Sequence, residues 1–316
     1  MDTATLYEAL KALLIGIVEG ITEWLPISST GHMILVDEFV QLQVSDDFLE
    51  LFLVVIQLGA IMAVVIMYFT KLNPFSRKKT AQQRRGTWRL WGMVVVGCIP
   101  AAVIGLLFDD WVNEHFYNKV TVASMLILYG IVFIVMERRN RRRLREARAL
   151  VEAPRGRHAR TAEGADLDGA AEAAVFKVTD VDDIDALTAF KIGCFQVLAI
   201  IPGTSRSGAT IIGGMLCGCS RTAATEFTFF LAIPVMLGWG ALKTIKYVLA
   251  GIAMSSTEVM VLVIGVASAF IMSVVAIKFL LGYIKRNDFT VFGIYRIIVG
   301  LVVLGYFALE TMGMLP

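Results

Sequence analysis

The stretch from Gly16 to His32, GIVEGITEWLPISSTGH, places two carboxylates, a proline, a run of hydroxyls and an imidazole close together in a strongly apolar chain. Glu19 and Glu23 stand four apart, so one helical turn puts both carboxylates on one face. Either would cost several kcal/mol facing lipid, so both are expected to face away from it. After Pro26, the hydroxyls of Ser28, Ser29 and Thr30 can cap a short helix through Met33 and Ile34, leaving free N–H groups and a positive dipole end. The segment PGTSRSGAT, Pro202 to Thr210, repeats the device with Ser205, Ser207 and Thr210 and adds the guanidinium of Arg206. Two helix starts and a guanidinium make an anion site, and phosphate is its natural guest. Capping alone accounts for Ser205, Ser207 and Thr210 almost as well. Ser29 and His32, three apart, share a helical face. The favoured reading makes Ser29 a nucleophile with His32 as its acid–base partner; direct attack by His32, or activation of water by it, stays open.

The elements that must hold these residues are membrane helices. The chain of 316 residues is 57% hydrophobic, with a mean hydropathy of +0.71, and it contains several runs long enough to cross a bilayer. The clearest are Leu49 to Phe69, Leu90 to Phe108, Val120 to Met136, Ala224 to Tyr247, Val259 to Leu281 and Val291 to Leu309. The first apolar segment has neither a basic lead nor a small-residue cleavage site, so it is not read as a removable signal peptide.

The formal net charge of +2 is segregated. Lys71 to Arg89 carries seven cations and no acid, Arg138 to Arg160 is denser in arginine, and Asp109 to Lys119 is mainly acidic. The positive-inside rule then sets the first two in the cytoplasm and the third outside. Leu10 to Val40 must begin and end outside, and Ala186 to Cys219 must begin and end inside. Each is interrupted near its middle, at Pro26 and at Pro202-Gly203, so both are read as re-entrant helical hairpins. A shift of 177 residues carries Gly16 onto Gly193, Glu19 onto Gln196, Ser28 onto Ser205 and Gly31 onto Gly208. Opposite entry plus this likeness predicts an inverted-topology repeat whose hairpin tips meet inside the membrane.

The expected fold is therefore an all-α polytopic membrane protein, with about six full transmembrane helices and two re-entrant hairpins in an inverted-topology repeat. One integral membrane domain is expected: a first repeat over 1–137, a basic, partly disordered cytoplasmic connector over 138–185, and a second repeat over 186–316. In the connector, RRNRRRLREARALVEA reads as a helical extension followed by a mobile Gly/Ala/acid-rich linker. Its arginines suit anionic lipid headgroups better than nucleic acid, which is not an expected partner. Cys98, Cys194, Cys217 and Cys219 lie in apolar stretches and suggest no disulfide framework. His115 and His158 are expected in solvated loops.

EGITEWLPISSTGH, FLVVIQLG, IPAAVIGLLF, GCFQVLAIIPGTSRSGAT and GIYRIIVG resemble, in order and over nearly the whole chain, the undecaprenyl-diphosphatase family of the bacitracin-resistance type. The family's Glu/Gln-x3-Glu and PGxSRSxxT motifs stand at Glu19 to Glu23 and at Pro202 to Thr210; the connector is longer and more basic than is usual there. The resemblance implies hydrolysis of undecaprenyl diphosphate to undecaprenyl phosphate, recycling the cell-wall lipid carrier and conferring resistance to bacitracin. It implies a multi-pass protein of the bacterial plasma membrane with its active site facing outward. By the same resemblance, Glu19 and Glu23 either hold a divalent ion, Mg²⁺ or Ca²⁺, on the diphosphate or tune the neighbouring acid–base group. Arg206 would clamp non-bridging oxygens, with Ser28, Thr30, Ser205, Ser207 and Thr210 donating to phosphate. The partners implied are a polyprenyl diphosphate lipid, membrane lipids and, as one option, a second copy in a homodimer. The alternative function is a lipid-carrier transporter or flippase, since inverted repeats with broken helices are also a transporter architecture.

Overall fold

The computed structural model describes residues 3–152 and 164–312. Twelve α-helices are described: α1 Thr3–Thr22, α2 Ser29–Val40, α3 Asp46–Met67, α4 Phe69–Leu72, α5 Ala81–Phe116, α6 Lys119–Glu152, α7 Gly164–Val175, α8 Ala186–Val197, α9 Arg206–Leu216, α10 Arg221–Leu249, α11 Ser256–Ile284 and α12 Thr290–Thr311. Six of them, α3, α5, α6, α10, α11 and α12, are long and apolar enough to cross a membrane; five contain the spans expected from sequence, and the expected Leu49 to Phe69 span overruns α3, which ends at Met67. Among the described residues there is no strand, only an isolated bridge between Val178 and Cys219. This is an all-α, multi-pass membrane architecture. Large apolar side chains on these helices, such as Leu106 and Val263, stay exposed at 82% and 62% because their solvent is lipid.

The helices of the N-terminal and C-terminal halves pack across one another. α1 lies on α11 and α8 on α5, while α3 meets α10 and α6 meets α12. Glycine permits the first two contacts. A Cβ on Gly16 would lie 2.4 Å from the Gly265 carbonyl oxygen of α11, and one on Gly193 would lie 2.2 Å from that of Gly97 in α5. Ion pairs reveal the relative directions. Glu50, near the start of α3, pairs with Lys243 near the end of α10, whereas Glu226, near the start of α10, is 3.7 Å from Lys71 beyond the end of α3. Helices α3 and α10 thus run antiparallel. So do α6 and α12: Lys119 at the start of α6 reaches Glu310 near the end of α12 at 3.3 Å, while Arg141, about six turns further along α6, reaches Asp288 just before α12 at 2.7 Å.

Two expectations need correction. His115 is not in a loop: α5 runs through the acidic stretch to Phe116, where the His115 ring stacks on Trp111 at 4.7 Å. The connector is less irregular than its composition suggests. Gly164–Val175 forms α7, held to α6 by Arg148 to Asp168 at 3.1 Å and by Arg143 donating to the Val175 carbonyl at 3.1 Å. Cations spaced along α6 therefore supply partners that composition alone does not reveal. Residues 153–163 of the connector, His158 among them, lie outside the described residues.

Candidate active site

Both helix breaks end in the same way. Ser28 and Ser205 are the only non-glycine residues with positive φ among those described, at 76° and 70°. Such a conformation costs about 1–3 kcal/mol and persists only where its surroundings enforce it. Each serine caps the helix that follows: the Gly31 N–H donates to Ser28 Oγ at 3.3 Å and the Gly208 N–H to Ser205 Oγ at 3.1 Å. The 177-residue correspondence thus extends to backbone geometry, and it aims two helix N-termini into one region.

Between those N-termini lies Glu23, buried at 8% exposure. Its Oε2 accepts the Ser29 hydroxyl at 2.7 Å, and its Oε1 accepts Arg206 Nη2 at 3.0 Å across 183 positions of sequence. Arg206 also donates through Nη1 to the Thr228 carbonyl at 3.1 Å, while its Nε is buried without a partner. The Trp24 ring lies 6.0 Å from the guanidinium carbon. Glu19, one turn before Glu23, is 1% exposed and its Oε1 has no partner. Buried unpaired donors and acceptors of this kind are costly, and they mark places where a ligand can supply the missing bond.

The other expected residues divide by position. Ser207 Oγ donates to the Leu25 carbonyl at 3.2 Å and lies 3.1 Å from Ser205 Oγ, so it joins the two breaks. Thr210 turns back onto the Arg206 carbonyl at 2.9 Å and accepts from Thr228 at 2.8 Å, a buried scaffold beneath the guanidinium. Ser29 and Thr30 are half-buried at the start of α2. The hydrogen bond anticipated between Ser29 and His32 is replaced by others. Ser29 is engaged by Glu23, while His32 Nδ1 lies 2.7 Å from the Ser28 carbonyl and Nε2 lies 2.8 Å from the Tyr295 hydroxyl. The spacing of three placed serine and histidine on one helix, but α12 captures the imidazole, stacking Tyr295 on it at 5.6 Å.

Arg296 is the residue that the sequence reading passed over. It is fully buried in α12 and donates to the carbonyls of Pro26 at 3.2 Å, Gly203 at 2.9 Å and Thr204 at 3.0 Å, and to those of Met125 and Leu126 at 3.4 Å. It therefore ties both breaks to each other and to α6. Its signal was available: an arginine inside an otherwise apolar span is a functional hypothesis by default. Each hydrogen bond to a charged donor contributes about 1.5–3 kcal/mol. Arg296→Lys is expected to fold with a lowered Tm and to lose at least tenfold in turnover, because one ammonium cannot serve all five carbonyls. Wild-type Tm and turnover in purified Arg296→Lys would exclude this positioning role.

Two helix N-termini and a guanidinium gather around buried carboxylates within a bundle of membrane-length helices, the architecture of an integral membrane protein with a polar centre. The chain belongs to the bacitracin resistance protein BacA family, whose model matches residues 12–302. It is 54% identical over 296 residues to an undecaprenyl-diphosphatase of Enterococcus faecalis, covering 94% of this chain and 96% of that protein. It is 53% identical over 307 residues to the undecaprenyl-diphosphatase of Desulfitobacterium hafniense, covering 97% and 98%. With that of Acetivibrio thermocellus it shares 50% over 300 residues, covering 95% and 98%.

Proposed function

We propose that this chain hydrolyses undecaprenyl diphosphate to undecaprenyl phosphate and inorganic phosphate, returning the lipid carrier to cell-wall synthesis, with bacitracin resistance as a consequence. Family membership supports the substrate and reaction. The observation that carries the chemistry is Glu23, which holds the Ser29 hydroxyl and the Arg206 guanidinium on its two oxygens.

In this reading Arg206 and the N–H groups opening α2 and α9 neutralise the diphosphate, as phosphoryl transfer requires. Ser28, Thr30, Ser205, Ser207 and Thr210 line or brace that phosphate cradle. Ser29 Oγ attacks the terminal phosphorus as its proton passes to Glu23, and the bridging P–O bond breaks to release undecaprenyl phosphate. Water then cleaves the serine phosphate, with His32 as the second acid–base group, oriented by Ser28 and Tyr295. The Ser29–Glu23 hydrogen bond favours Glu23 over His32 as the base for the first step. A transporter would need no such bond, which favours the enzyme over the flippase reading. Release of one phosphate per polyprenyl diphosphate by the purified protein in detergent is the expected result; no release would overturn the proposal.

A divalent cation fits a limited role. Among the described residues no group of three or more His, Cys, Asp or Glu gathers to cage a metal, but Glu19 offers an unpartnered buried oxygen. Mg²⁺ commonly binds through one or two carboxylates with the rest of its shell from phosphate and water. Glu19 and Glu23 would hold such an ion, which when bound supplies further charge neutralisation to the diphosphate. Mg²⁺ or Ca²⁺ added with a non-hydrolysable diphosphonate should then raise the Tm, and Glu19→Gln should lose that increment. An equal increment in Glu19→Gln would remove Glu19 from the ion.

The membrane placement follows loop charge. The α1–α2 and α8–α9 pairs would enter from opposite faces as re-entrant hairpins, with the site open to the outside of the plasma membrane. The antiparallel relation of α3 to α10 supports opposite entry. After replacement of the native cysteines, of which Cys194 is exposed, an impermeant thiol reagent on intact cells should label Gln43→Cys and His115→Cys but not Gln82→Cys. The reverse pattern would invert the assignment.

A further inference from the structure

We infer that the basic end of α6 carries a binding site for an anionic glycerophospholipid, separate from the site described above. A groove of about 320 Å³ runs between α6 and the end of α9. Its α6 wall follows helical spacing: Ile131, Val135, Arg139 and Arg143 stand four apart on one stripe, with Val132, Met136 and Asn140 beside them. Met215 and Leu216 of α9 form the facing wall. Along the roughly 18 Å between Ile131 and Arg143 at 1.5 Å per residue, the lining changes once, from apolar to cationic. That is the order of an acyl chain followed by its phosphate.

The apolar end is open to lipid, with Ile131, Val135 and Leu216 about half exposed at 48%, 59% and 55%. The cationic end is only partly neutralised. Arg143 is steadied by the Val175 carbonyl, which carries no formal charge. Arg139 carries no ion pair among the described residues, while the neighbouring acid Glu137 is fully buried and taken up by Arg221 at 2.5 Å. A second, independent observation is Asn140. It lines the groove, is 5% exposed, and its Nδ2 is buried with no hydrogen-bond partner. A phosphodiester seated on Arg139 and Arg143 would give that amide an acceptor. Charge and shape together select an anionic lipid: a free phosphate would leave the apolar half unused, and a zwitterionic headgroup would set its own cation against the arginines.

The test uses the full-length protein in detergent, titrated with phosphatidylglycerol and, in parallel, phosphatidylcholine, with bound lipid counted by native mass spectrometry. Wild type should retain phosphatidylglycerol in preference. A basic side chain near a membrane surface contributes roughly fivefold in affinity, so Arg139→Gln/Arg143→Gln should bind about thirtyfold more weakly. Asn140→Leu should weaken binding, whereas Arg142→Gln, off this stripe, should not. Hydrolysis of polyprenyl diphosphate and elution on size exclusion should be unchanged in the double variant, separating lost binding from misfolding. Equal retention of both lipids, or wild-type affinity in the double variant, would overturn the site. Preferential binding of a polyprenyl phosphate, abolished by the same double substitution, would instead give the groove to that lipid and overturn the phospholipid assignment.

Discussion

Glu23→Gln is expected to lower turnover by about 10³-fold or more, measured as kcat per folded protein, because it removes the proton acceptor of Ser29 and the counter-charge of Arg206 together. Glutamine retains the volume and can still accept the Ser29 hydroxyl at 2.7 Å. It cannot take the proton. The substitution also leaves a guanidinium that is 13% exposed without its carboxylate, and breaking a buried pair costs about 3–5 kcal/mol. Tm and kcat must therefore both be read. If the pair only braced the fold, Glu23→Gln would melt early yet its folded fraction would turn over normally. Glu23→Asp keeps the charge but withdraws it by one methylene, so it should recover stability more fully than rate. Normal kcat in the folded fraction of Glu23→Gln would remove Glu23 from the chemistry.

The six spans were legible because a lipid solvent forces long apolar runs, and length alone then identifies them. The two breaks were legible because each sets a proline beside small hydroxyl residues, and Ser28 and Ser205, matched by the 177-residue shift, both take positive φ and cap the helix that follows. Gly16 and Gly193, matched by the same shift, both sit where a Cβ would meet a neighbouring helix's carbonyl oxygen. Glu23 and Arg206 were legible as costly charges in an apolar setting, but their direct contact was not. It depends on two breaks closing together across the bundle, which no local spacing encodes. The fate of His32 was hidden for the same reason. Its spacing from Ser29 is a local fact, whereas Tyr295 reaches it from 263 positions away. Residues 164–175 misled for another reason: their Gly/Ala/acid composition resembles a linker, and their helix is supported by α6.

The second large effect belongs to Arg206, and it tests whether the two breaks form one site. The guanidinium spends Nη2 on Glu23 and Nη1 on the Thr228 carbonyl, and still has an unpartnered buried Nε. A planar fork can hold carboxylate, carbonyl and phosphate oxygens simultaneously in fixed directions, whereas lysine presents one compact charge on a flexible stem. Arg206→Lys should accordingly keep the Glu23 ion pair, and with it most of the folding stability. It should lose the simultaneous contacts on phosphate, lowering kcat by about 2–4 kcal/mol of transition-state stabilisation, the scale set by other preorganised donors. Arg206→Ala should lose both, with Glu23 left unpaired, and should show a lower Tm as well as a deeper loss of turnover. An arginine that merely reached towards headgroups would tolerate lysine, because either cation snorkels. Wild-type kcat for purified Arg206→Lys at saturating lipid would therefore detach the second repeat from the chemistry. A loss confined to kcat, with Tm held, would place the Arg206 fork on the reacting phosphate, 183 residues from the carboxylate that anchors it.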